Sequence, residues 1–266
     1  MKLKLGQQQK HTSKRMLAYP MVGAMVSSLF GYTNVGNYAR FSIFKKILKS
    51  MPVQSFSKIL DLGCGYGEYS MGLATSLPKA EIHALDIDQK RTKVVQEATE
   101  KNGLSNVVVH NSFIEEVKET EYDFIFSVDV FEHIDPVEMP FAQCYKKLKS
   151  GGYFMVKIPN EVQRTIFPES WFSDHHEWLE DEHIGQVYDL AKLSARFEAS
   201  GFKIVSKFYS DGLLSRLGWE LAYLGKKMGT IMHLISLPLS KGLIKLDRLV
   251  HQGYWGNAIQ VVGQKP

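Results

Sequence analysis

The run Lys58-Ile59-Leu60-Asp61-Leu62-Gly63-Cys64-Gly65-Tyr66-Gly67 takes an apolar strand straight into three glycines spaced two apart, and few folds accommodate that junction. Ile59, Leu60 and Leu62 suit a buried parallel strand, while the glycines permit tight torsions and let a ligand approach the main chain closely. Two familiar glycine loops fail against this spacing. A dinucleotide fingerprint needs a third glycine three positions after the second, where this chain has Glu68, a charge that would repel a pyrophosphate. A phosphate-cradling loop needs Gly-Lys-Ser/Thr, which does not follow. Acids at Asp61 and Glu68 suit a ligand that carries positive charge and hydroxyls.

Three further segments follow in order. Ile82-His83-Ala84-Leu85 runs into Asp86. Tyr122-Asp123-Phe124-Ile125-Phe126-Ser127-Val128-Asp129-Val130-Phe131-Glu132-His133 couples a strand to a loop. Leu148-Lys149-Ser150-Gly151-Gly152-Tyr153-Phe154-Met155-Val156 couples a glycine turn to another strand. With the loop Asp61-x-Gly63-x-Gly65-x-Gly67, this set resembles the class I S-adenosylmethionine-dependent methyltransferases of small-molecule type. The resemblance implies a Rossmann-like α/β fold, a doubly wound, mostly parallel seven-stranded sheet. It also implies S-adenosylmethionine as cofactor and S-adenosylhomocysteine as product. The cofactor residues it implies are Asp61, Gly63, Cys64, Gly65 and Gly67 in the loop, Asp86 for the ribose hydroxyls, and Ile87 beside it. Asn111 and Ser112 stand where many relatives place an acid near adenine, and Asp129 follows the fourth strand. Cys64 is expected to be a small filler, since methyl transfer needs no covalent enzyme intermediate.

At 266 residues with 44% hydrophobic content the chain can bury a full core. Two cysteines, Cys64 and Cys144, fit a reducing cytosol without a structural disulfide. Strand and helix patterns divide the chain into a basic N-terminal helical lid or anchor (1–57), a cofactor-binding core (58–210), a helical insertion (211–254) and a final strand (255–266). The insertion carries helix-like stretches at 213–228 and 240–250. It separates the last two strands by more length than a compact domain leaves unused.

Charge is segregated along the chain. Residues 1–58 hold ten Lys or Arg and no acid, and residues 211–266 hold seven basic and three acidic residues, which leaves 15 basic against 25 acidic residues between them. Basic ends point to an anionic partner. Both ends are also apolar, over 16–26 and over the uncharged segment 228–240, the latter flanked by Lys226, Lys227, Lys241, Lys245 and Arg248. Thirteen residues are too few to cross a bilayer, which needs about 20. The expectation is a cytoplasmic protein that contacts the inner face of an anionic membrane as a peripheral partner.

Methyl transfer to a hydroxyl requires a base near the fourth strand or facing it. His133 meets the first condition; His175 and His176, within the acid- and imidazole-rich run 171–183, meet the second. No metal is expected, although His176, Glu180 and His183 would share a helical face. The acceptor is expected to be an apolar or lipid-like small molecule methylated on a hydroxyl or a carbon. Trp219, Tyr223, Met228, Met232 and Trp255 are the candidate wall. Nucleic acid is not expected, because the basic ends lack regular basic-aromatic interleaving. Two alternatives stay open: a non-catalytic cofactor-binding interaction module, and an aminopropyl transferase whose acidic pocket would gather Asp129, Glu132, Asp174 and Glu177. The oligomeric state is not legible.

Overall fold

The computed structural model describes residues 19–174, 188–250 and 253–266. Seven strands form one sheet: β1 (Lys58–Leu62), β2 (Glu81–Asp86), β3 (Val107–Asn111), β4 (Tyr122–Val128), β5 (Leu148–Pro159), β6 (Lys203–Ser210) and β7 (Ala258–Gln264), in the spatial order β3-β2-β1-β4-β5-β7-β6. The first five strands run parallel. Only β7 is antiparallel, and it lies between β5 and β6. β1 and β4 are apolar and buried almost throughout, as strands covered on both faces must be. The chain steps outward from β1 to β3 and then returns beside β1 as β4. That reversal opens a crevice at the carboxyl ends of β1 and β4, the place where such sheets bind ligands.

Helices cover both faces. They are α1 (Pro20–Phe30), α2 (Val35–Lys49), α3 (Glu68–Ser76), α4 (Gln89–Lys101), α5 (Phe141–Lys147), α6 (Leu190–Ala199), α7 (Leu213–Lys227) and α8 (Thr230–Val250). On one face Leu60, Ile125, Phe154 and Val261 meet Phe141 of α5 and Phe197 of α6. On the other, Ile59, Phe124, Phe126 and Met155 meet Ile43, Phe44 and Ile47 of α2 and Leu73 of α3. α2 is therefore part of the core packing.

The insertion between β6 and β7 is a helical hairpin. Gly218 and Gly225 let its helices approach closely, since a Cβ on Gly218 would lie 2.5 Å from the Ser240 carbonyl oxygen and one on Gly225 2.8 Å from Ser236 Oγ. Ala222, Leu237 and Ile244 then pack on Val35 and Ala39 of α2. Arg248 locks the arrangement by binding Asp211 at 2.7 Å and donating to Ser42 Oγ at 2.9 Å. Helix-like stretches are expected at 213–228 and 240–250 on either side of an uncharged segment, whereas α8 starts at Thr230 and takes in most of that segment. Leu237, Ser240, Ile244 and Asp247 recur at helical spacing and are all buried, while Pro238 sits on the exposed side, where the carbonyl it displaces can turn to water. No described helix is long and apolar enough to cross a membrane.

Candidate active site

The glycine loop joins β1 to α3, and its amide groups point into the protein. Gly63 and Cys64 both donate to the Leu85 carbonyl at 2.8 Å, Gly67 donates to the Cys64 carbonyl at 2.8 Å, and Gly65 donates to Asp86 Oδ2 at 2.8 Å. With those donors engaged, the loop is no nest for phosphate, in keeping with its acids. Gly63, Gly65 and Gly67 all have positive φ, at 78°, 54° and 73°. A Cβ on Gly63 would meet Val130 at 2.4 Å, and one on Gly67 would meet Val95 at 2.9 Å, but one on Gly65 would meet nothing within 4 Å. Gly65 is thus the position where the loop faces open space.

Acids flank that space. Asp86 also accepts from the Asp88 amide at 2.9 Å, so each of its oxygens is oriented and retains a lone pair. Asn111 donates to the carbonyls of Asp86 and Ile87 at 3.1 and 3.0 Å, tying β3 to the end of β2 and leaving its own oxygen unspent. Ile87 beside it is 67% exposed, an apolar surface on a polar rim. Ser112 follows Asn111 and is half-buried. Asp61 is buried and accepts from Ser70 Oγ at 2.6 Å. Burial, helped by the Asp86 charge, pushes its carboxyl up to about 7 against that hydrogen bond.

A second polar group lies where α2 crosses the carboxyl end of β4. Asp129 has φ +52°, donates its amide to the Lys157 carbonyl at 2.8 Å, and binds Lys157 Nζ at 2.8 Å and the Arg40 guanidinium. Burial would raise its carboxyl, but Lys157 and Arg40 overcome this and hold it down to about 2. Glu132 is buried three residues on. Burial and then the Asp129 charge push it up to about 8, and its Oε2 has no partner. Glu68 accepts from Asn37 at 3.1 Å with one oxygen, and its carboxylate also faces the Tyr32 hydroxyl. Burial moves this carboxyl up to about 7 against the pull of Arg40. The hydroxyl of Tyr69 is buried and unpartnered, and that of Tyr32 is buried beside Glu68. Burial holds both phenols well above their usual range.

The roof over this region is aromatic. Trp219 and Tyr223 of α7 stack with centroids 5.1 Å apart, and Phe172 lies 5.9 and 5.4 Å from them. Trp219 reaches the start of α2, where a Cβ on Gly36 would lie 3.7 Å from its Nε1. The Arg216 guanidinium sits 4.6 Å over the Trp219 ring and binds Glu220 at 2.6 Å. Glu220, fully buried, also accepts from the amides of Ile166 and Phe167 at 3.0 Å, which fixes the segment after β5 beneath α7.

The structure thus brings together Asp61, the glycine loop, Asp86, Ile87, Asn111 and Asp129. His133 ends a short 3-10 turn and is exposed, whereas Glu132 before it is buried. His175 and His176, and with them His183, lie outside the described residues. Met228 and Met232 are exposed rather than turned to the roof, and Trp255 lies beneath Arg164 at 4.6 Å. The acidic pocket that an aminopropyl transferase would need does not form among the described residues: Asp129 is neutralised, and Asp174 binds Lys227 at 2.7 Å at the surface. The sequence reading did not include Arg40, Lys157, Tyr32 or Tyr69 in the site. Their partners are distant in sequence, and no local pattern around them marks the pairing.

A family model described as a methyltransferase domain matches residues 36–207. The demethylmenaquinone methyltransferase of Staphylococcus carnosus is 22% identical over 208 residues, which cover 70% of this chain and 86% of that protein. The phosphoethanolamine N-methyltransferase of Plasmodium falciparum is 26% identical over 206 residues, covering 76% and 74% respectively. Among solved structures, a mycolic acid cyclopropane synthase complexed with SAH and CTAB superposes with a TM-score of 0.60 at 18% identity, over 86% of this chain and 85% of that one.

Proposed function

Because this chain belongs to the methyltransferase-domain family and is an S-adenosylmethionine-dependent enzyme, we propose that it methylates a hydroxyl of an apolar, lipid-like small molecule. The residues present fit the cofactor. Asp86 offers oriented carboxylate lone pairs for hydroxyls, Gly65 opens the loop, and the buried oxygens of Tyr32, Glu68 and Tyr69 form a polar wall. The bound cofactor supplies an activated methyl group on a sulfonium. The protein must then hold the acceptor in line, exclude water and take up one proton.

The observation that carries the acceptor reading is the roof. Phe172, Trp219 and Tyr223 cluster, and the places over them that a cationic amine would take are filled by Arg216, over Phe172 and Trp219, and by Lys227, over Tyr223. A phosphorylated acceptor would need uncommitted cations, but Arg40, Lys157 and Arg248 each bind a carboxylate. Glu132, buried with one bare oxygen, is the proposed proton acceptor, and His133 at the rim of the same turn is the second candidate. With labelled S-adenosylmethionine and a lipid extract, label should enter the organic-soluble product. Glu132→Gln should lower kcat about 100-fold and remove the rise in rate through about pH 8 with unchanged cofactor affinity. Label confined to water-soluble product would refute the apolar acceptor, and an unaltered pH profile would return the proton to His133.

An anionic membrane surface is the proposed partner. On α8, Ile231, Ile235, Leu239, Leu246 and Leu249 are all exposed. At 3.6 residues per turn they fall within about 80° of the helix circumference, opposite the buried Leu237 and Ile244. On α1, Met21, Val22, Met25 and Leu29 form a similar exposed strip, and the two helices touch. Exposed Lys226 and Lys245 flank the α8 strip, while Lys241, Lys227 and Arg248 from the same basic group bind Phe30, Asp174 and Asp211. Ile235→Glu with Leu239→Glu should abolish co-sedimentation with phosphatidylglycerol vesicles without affecting cofactor binding. Equal sedimentation of the double variant would assign the strip to something other than lipid.

A further inference from the structure

Away from the crevice, on the edge of the sheet, β2 and β3 hold a second cluster that the methyl-transfer chemistry does not use. His83 pairs across the sheet with Val108, and His110 lies two residues further along β3, opposite Leu85. Both histidines therefore project from the same face. His83 is 1% exposed, and its Nδ1 lies 2.8 Å from His110 Nε2. Glu119, on the connection from β3 to β4, brings its carboxylate to the pair, so that one ligand atom from each of the three residues lies within 4.8 Å of the others. Glu81, at the start of β2, places Oε1 2.5 Å from His83 Nε2.

We propose that His83 Nδ1, His110 Nε2 and the Glu119 carboxylate bind one divalent cation of the zinc type, with Glu81 as the residue that orients His83. The donor set is two imidazoles and one carboxylate, a set that zinc accepts with a water in the fourth position. Glu81 accepts the Nε2 proton of His83 and so leaves Nδ1 as a lone pair aimed at the centre, the carboxylate-histidine-metal arrangement that fixes a ligand's tautomer. Nearby cations are turned aside, since Lys147 donates to the Val117 carbonyl and Lys58 to that of Thr120. Two carboxylates and two neutral imidazoles balance a charge of +2.

Tetrahedral coordination with bonds of about 2.0–2.1 Å separates ligand nitrogens by roughly 3.4 Å. The two rings must therefore part by about half an ångström from their present hydrogen bond. His110 is half-buried on the edge strand and is the ring free to shift. The bound ion would pin β3 and the β3–β4 connection to β2 and so reinforce an otherwise open sheet edge.

The test uses metal-stripped full chain titrated with Zn2+ by calorimetry and with Co2+ by visible absorption. One ion per chain with the intense ligand-field bands of four-coordinate Co2+ is expected. His110→Gln and Glu119→Gln should each weaken Zn2+ binding at least 100-fold, and Glu81→Gln should weaken it 10- to 100-fold. Cofactor affinity should be unchanged in all three, which also reports that they fold. Absence of Zn2+ binding by the unmodified chain would overturn the proposal and leave a hydrogen-bonded histidine pair. Binding that survives both His110→Gln and Glu119→Gln would overturn it equally, by placing the ion elsewhere, for example among His175, His176 and His183.

Discussion

Gly63 and Gly65 share a left-handed backbone but have opposite surroundings. A methyl group on Gly63 would collide with Val130, whereas one on Gly65 would enter open space. Gly63→Ala should therefore cost about 2–4 kcal/mol of stability, from left-handed strain and overpacking together. Gly65→Ala should cost only about 1 kcal/mol yet weaken S-adenosylmethionine binding. Chemical denaturation and calorimetry on the pair would separate the two effects, and equal stability losses would contradict the contrast. Asp86→Ala removes the oriented acceptor and strands the Gly65 amide. The expected loss of cofactor affinity is about 1.5–3 kcal/mol for a charge-assisted contact, and unchanged affinity would remove Asp86 from the cofactor site.

Among elements, what could be read from the sequence was what is contiguous. The glycine loop, the acid ending β2, and the strands around β4 and β5 each announce themselves within a dozen residues, because one strand and its following turn form a local unit. The contacts that assemble the acceptor side are not local. Glu220 meets Ile166 across 54 positions of sequence, and Arg40 reaches Asp129 from a helix that composition alone marked only as basic and apolar. Periodicity gives a helix its buried face but not the partner of a single polar side chain on it. Glu220→Ala should leave Arg216 and two backbone amides without their acceptor, a loss of about 3–5 kcal/mol for a broken buried ion pair. It should also open the segment around Arg164 to trypsin while β1 to β5 stay protected. Wild-type resistance at that site would show that α7 does not hold the segment in place.

For the whole molecule, the buried acids set a pH profile. Asp61 and Glu68 at about 7 and Glu132 at about 8 bind protons more tightly folded than unfolded. Their contribution is therefore complete below pH 4 and is lost as pH rises through 7 and 8. Asp129, at about 2, works the other way, and its contribution is lost only as pH falls below 4. The contribution of these groups to thermal stability should be greatest near pH 4 and fall steadily as pH rises through 7 and 8, that of the three raised acids being gone by pH 9. Saturating S-adenosylmethionine should flatten that decline by bringing positive charge to the acids. A Tm constant from pH 6 to 9 without ligand would show these carboxyls to be ionised throughout. The position of β7 governs how such a chain comes off the ribosome. Of the seven strands β7 emerges after the others, yet it belongs between β5 and β6. Until it emerges β5 and β6 each expose an unpaired edge, and the nascent chain carries an unfinished sheet that invites chaperone capture.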